Sequence, residues 1–93
     1  MEPKTFPAGG LPGALEQVNE MVSEGADLLA AVGERPYALS SALLASLGRY
    51  RAALDLGGPR EIAHAEVEAK RALRTAVDRL VAATKAAESR GPR

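Results

Sequence analysis

The stretch PREIAHAEVEAKRALRTAVDRLVAATKAAE, residues 59–88, decides the fold. After Pro59 neither proline nor glycine recurs until Gly91. Strong helix formers fill the interval: Ala, Leu, Glu, Lys and Arg. The start signal is coherent, with Gly58 as N-cap, Pro59 at the first helical position and Glu61 at the third. The spacing predicts a helix over residues 59–89, roughly 45 Å long at about 1.5 Å per residue. Its main apolar stripe reads Ile62, Ala69, Leu73, Ala76, Val77, Leu80, Ala83, Ala87. A second, thinner stripe runs Val67, Arg74, Val81, with Lys70, Arg71 and Lys85 beside it. A helix in a monomer needs only one apolar face. The second face therefore predicts a partner.

Working back from this helix, Gly57 and Gly58 close a preceding segment that Pro36 opens, since a first-turn proline loses no helical hydrogen bond. That helix is predicted over 36–56. Its core stripe is Leu39, Leu43, Leu47, Tyr50 and Leu54, widened by Leu44 and Ser46, with Tyr37 half-exposed. Gly33 stops an earlier helix predicted over 12–32. Leu11, Ala14, Leu15, Val18, Met21, Val22, Gly25, Leu29 and Val32 share its inner face, and Glu16, Glu20, Ser23, Glu24 and Asp27 its outer one. A glycine at position 25 costs about 1 kcal/mol of helix propensity, which predicts close approach of another helix there. The connections at 33–36 and 57–59 are short, so neighbouring helices are expected to run antiparallel. The fold class is all-α: an up-down-up three-helix bundle over residues 11–90, with a long third helix that overhangs the others from about Ala82. Residues 1–10, rich in Pro and Gly, are expected to form a flexible arm carrying Phe6, the one phenylalanine.

Ninety-three residues allow one domain. Such a chain buries roughly 60–65% of its unfolded surface, so a lone copy is marginal. Much of its apolar content is alanine, which buries little area. A partner would supply what the core lacks. Acidic and basic residues balance at 12 each, so no global field draws nucleic acid or an anionic membrane. The balance hides an asymmetry. Residues 1–47 carry two basic against six acidic residues, and residues 48–93 carry ten against six. Complementary faces within one fold explain this, and so does self-association. The chain has no cysteine, hence no disulfide, thiolate nucleophile or cysteine metal site. No secretory h-region and no membrane-length apolar run is present, so a cytoplasmic setting is expected. The usage of Ala, Leu, Arg and Gly is that of GC-rich bacterial or phage genes.

Glu61-Ile62-Ala63-His64 is an E-x-x-H, and over these four residues it resembles the carboxylate–histidine motif of ferritin-like di-iron bundles. The resemblance implies a metal-binding bundle drawing on Glu61, His64 and Glu68. The pattern departs from that family in two ways. His64 lies about 180° from Leu73 on a helical wheel, and the inner face of the first helix carries no carboxylate. No metal or other cofactor is therefore expected. Glu66 falls about 20° from Leu73, so it needs a cation or a place at the rim. Arg49, Arg51 and Tyr50 are the candidate partners.

Other chemistry finds little support. Lys70, Arg71, Arg74 and Lys85 are diluted by Glu66, Glu68, Asp78 and Glu88, and no aromatic residue interleaves them for base stacking. Nucleic-acid contact is the least favoured binding reading. Ser40, Ser41 and Ser46 have no base within reach by spacing, and no phosphate-cradling loop is present. A non-catalytic helical module is expected. It would bind another protein or a second copy of itself through Val67, Lys70, Arg74, Val77 and Val81.

Overall fold

A computed structural model describes residues 10–89. They form four helices and no strand: α1 (Gly10–Glu24), α2 (Ala26–Ala31), α3 (Pro36–Leu56) and α4 (Pro59–Ser89). The bounds of α3 and α4 agree with the sequence reading. The predicted first helix begins two residues earlier and is divided at Gly25. Phe6 and the rest of the expected arm before Gly10 lie outside the described residues.

The division at Gly25 is a bend in one helix more than a break between two. Gly25 sits at φ −96°, ψ 17°, away from the helical well. The helical hydrogen-bond ladder nevertheless passes through it. Its N–H donates to the Met21 carbonyl at 2.8 Å, and its own carbonyl accepts from Leu29 N–H at 2.9 Å. A Cβ at this position would lie 3.2 Å from Leu80 Cδ2 and 3.2 Å from the Met21 carbonyl oxygen. The missing side chain thus lets α4 approach, as the glycine inside the apolar stripe predicts.

The helix ends follow their local chemistry. Gly33 adopts φ +84°, a left-handed conformation in which other residues are strained. Its N–H donates to the Ala30 carbonyl at 3.0 Å, and Glu34 N–H donates to Leu29 at 3.0 Å. These two bonds make a Schellman cap. At the start of α4, Ile62 N–H donates to the Gly58 carbonyl at 3.0 Å. Glu61 Oε1 in turn accepts from Gly58 N–H at 2.9 Å, closing the carboxylate half of a capping box.

The core is thin. Its fully buried large side chains are Leu15, Val22, Leu29 and Leu43. Leu11, Val18 and Leu47 complete it, with Leu39, Tyr50, Leu73 and Leu80 half-buried around it. α4 contributes mainly small residues, since its buried positions are Ala65, Ala69, Ala76 and Ala83. Polar contacts tie the helices at the rim. Ser40 Oγ on α3 donates to Asn19 Oδ1 on α1. Arg51 Nη2 donates to Glu16 Oε2 at 2.8 Å, and Arg49 Nε to Glu68 Oε1 at 3.3 Å. Arg79 reaches Glu34 at 3.8 Å. Two of these pairs, Arg51–Glu16 and Arg79–Glu34, join the acidic and basic halves within one chain. Exposed pairs of this kind add little stability.

Several expected core positions are on the surface. Met21, Leu44, Leu54 and Val77 are exposed, as is Tyr37, which was expected to be half-exposed. For Val77 the cause is a shift of the buried stripe of α4 toward its small residues. On α4 the stripe centres on Ala69, Ala76 and Ala83, roughly 40–80° from Leu73. From the middle of that stripe Glu66 stands about 80° away, which puts it at the rim. It pairs with Lys70 at 3.1 Å; Arg49 and Arg51 are engaged elsewhere. The expected overhang is corrected in part: Ala83 is buried and Ala86 and Ala87 are half-buried, so the helix stays covered beyond Ala82.

Candidate functional site: the outer face of the long helix

α4 is held on its inner side by the alanine stripe, and this fixes which residues face out. Val67, Val77 and Val81 are 52%, 38% and 47% exposed. Lys70 and Arg74 are exposed between them. At spacings of three, four and seven residues the five share one side of the helix. The structure therefore brings the predicted partner-binding residues onto one continuous strip. Val77, assigned to both faces in the sequence reading, belongs to the outer one. Lys70 is engaged with Glu66 one turn away, whereas Arg74 has no ion-pair partner among the described residues.

Two further residues join this surface that the α4 pattern could not identify. Met21 and Leu28 are 45% and 38% exposed. They flank Gly25 at i−4 and i+3, on one line along the bent helix. Gly25 itself abuts Leu80, and Val77 and Val81 flank Leu80 on α4. Met21, Leu28, Val77 and Val81 therefore border the seam where the two helices meet. The signal in the sequence was Gly25, which predicted the close approach without naming the helix that makes it.

The E-x-x-H lies on another side. The His64 side chain is 75% exposed, with Nε2 3.2 Å from Glu68 Oε2. Glu68 also accepts from Arg49, and Glu61 caps Gly58. Of the three proposed ligands, His64 and Glu68 thus contact each other, while Glu61 is turned to Gly58. Among the described residues no cluster of three or more His, Cys, Asp or Glu side chains is arranged to hold a metal ion. His64 and Glu68 instead edge an open groove at the α3–α4 turn, with Arg49, Leu56 and Arg60. Ser40 is used in the bond to Asn19, and Ser46 is buried beneath the α3–α4 packing. No helix among the described residues is long and apolar enough to cross a membrane.

Comparison with known proteins adds no relative: no protein-family model, curated protein or solved structure matches the chain.

Proposed function

We propose that the protein is a non-catalytic interaction module that binds another protein, or itself, through the outer face of α4. One observation carries this reading. On the helix that supplies the fewest large side chains to the core, three valines lie on the outside, aligned with Lys70 and Arg74. Scattered surface hydrophobics are ordinary, but an aligned strip is a recognised mark of an interaction site. The valines would supply desolvated contact and the cations would set orientation. A thin core supports the same reading, because a partner adds buried area to a marginal domain. An adaptor, an accessory subunit or an assembly component would each use such a face.

The test is a Val67→Asp, Val81→Asp chain compared with the unaltered one by sedimentation over a wide concentration range and by partner capture. The reading expects loss of association or capture with the helical spectrum retained. Unchanged association and capture in the altered chain would overturn it.

A further inference from the structure

The side of the α3–α4 hairpin that faces away from α1 carries two adjoining hollows. α1 meets α3 through Ser40 and Arg51. On the helical wheel Ala42, Arg49 and Ala53 stand about 140–180° from those two residues. One hollow, about 280 Å³, lies over Ser46 and is walled by Leu39, Ala42, Ala72 and Thr75. The other, about 770 Å³, opens toward the α3–α4 turn over Ala52, Ala53, Leu56 and Ala65. Arg49 and Glu68 border both, and their 3.3 Å ion pair joins α3 to α4 at the waist between them.

Small residues alone would mark only close helix packing. Ser46 adds a second, independent observation. It is 5% exposed. The side-chain hydrogen bonds of the described residues nevertheless run through Ser40, Arg49, Arg51, Glu61 and Thr84 and leave it out. A buried hydroxyl without a partner costs about 1–3 kcal/mol, so it calls for an occupant of the hollow it lines. One water would satisfy the hydroxyl but fills only roughly 30 Å³, and the walls at Leu39, Ala42 and Ala72 are apolar.

The donors decide the polar end of that occupant. Ser46, Thr75, Arg49 and Arg71 line the smaller hollow, and all four side chains can donate. Arg71 is exposed and ion-paired with no described residue. Glu68 is the one carboxylate among the described residues on this wall, and it already faces Arg49 and His64. The larger hollow decides the other end. Its floor is alanine, and Leu56, at 87%, is the most exposed large hydrophobic side chain among the described residues. The rise from Ser46 to Leu56 is about 15 Å. Sites that are mostly apolar with a few convergent polar groups recur between the helices of bundles.

We infer that this groove binds an aliphatic carboxylate of medium chain length, with its head at Ser46 and Arg71 and its tail over Ala53 and Leu56. Arg49 exchanges Glu68 for the ligand's carboxylate. An exposed ion pair contributes little, so the exchange costs little. The inference does not rest on the outer face of α4, whose Val77 and Val81 border α1–α2 instead.

Laurate, titrated calorimetrically below its micelle concentration, is expected to fill a single saturable site on the unaltered chain. Ser46→Ala should weaken laurate roughly three- to tenfold with no loss of stability to urea, because no bond within the fold is removed. Arg71→Gln should weaken it roughly tenfold. Glu68→Gln should tighten it roughly threefold, since the competing carboxylate is gone. Dodecanol, which keeps the tail without the charge, should bind roughly tenfold more weakly than laurate, and dodecyltrimethylammonium more weakly still. Four results would each overturn the inference: no saturable laurate binding, equal binding of dodecyltrimethylammonium, unchanged affinity in both Ser46→Ala and Arg71→Gln, or a Ser46→Ala chain that loses stability, which would mean the hydroxyl is already satisfied within the fold. Val81→Asp should bind laurate normally whatever it does to association, so this inference and the interaction reading can fail separately.

Discussion

The two faces of α4 differ in a way that hydrophobicity alone does not predict. The inner face buries Ala65, Ala69, Ala76 and Ala83; the outer face exposes Val67, Val77 and Val81. Valine is the more apolar residue, yet alanine is inside. Size decides this. Gly25 lies close enough to α4 that its Cβ would crowd Leu80, and Ser46 is buried on α3. Small residues on all three packed elements let the backbones come together, and a larger side chain would hold them apart. The large residues of the core come instead from α1, α2 and α3. Buried position therefore follows from fit between helices, and the displaced valines become available to a partner.

Substitutions can sharpen this contrast. The largest expected effect is at Leu29, fully buried in the core shared with Ala76 and Ala83. Leu29→Ala should cost about 2–5 kcal/mol, read by urea unfolding. Ala76→Leu comes next, because it enlarges a closely packed position. Overpacking of about 1–3 kcal/mol is expected, although leucine is more hydrophobic and almost as good a helix former. If Ala76→Leu raises the melting temperature, the account of α4 by size is wrong. A smaller loss, about 1 kcal/mol, is expected for Gly33→Ala, since the left-handed φ strains any side chain. The smallest effect is on the outer face. Read at low protein concentration, Val81→Asp should change unfolding free energy by no more than about 0.5 kcal/mol. A loss as large as that of Ala76→Leu would mean that the outer valines belong to the monomer's own core.

The helices were legible because their boundaries are local chemistry. Pro36 and Pro59 open helices, Gly33 closes one with its positive φ, and Glu61 caps Gly58 through a bond that depends on a spacing of three residues. The stripes were less legible. Leu73 draws the eye as the centre of α4, but the centre lies on the alanines, and this displacement moved Val77 outward and Glu66 to the rim. Leu54 and Met21 failed for a related reason: helical spacing shows which side of a helix a residue occupies, not whether a neighbour extends far enough to cover it. The outer strip of α4 could be read from periodicity alone. Its continuation through Met21 and Leu28 could not, because those residues become neighbours of Val77 and Val81 only when Gly25 meets Leu80.

By itself, then, the sequence determined what depends on residues a few places apart: that the chain is all-α, where its long helices start and stop, and that α4 has two faces. Tertiary structure decided what depends on distance between helices: which face buries alanine, how charges from the two halves pair, and which exposed side chains border one seam. The division is physical. Caps and periodicity are set by backbone geometry within a turn or two, whereas burial is a property of two surfaces and is fixed only when both are in place.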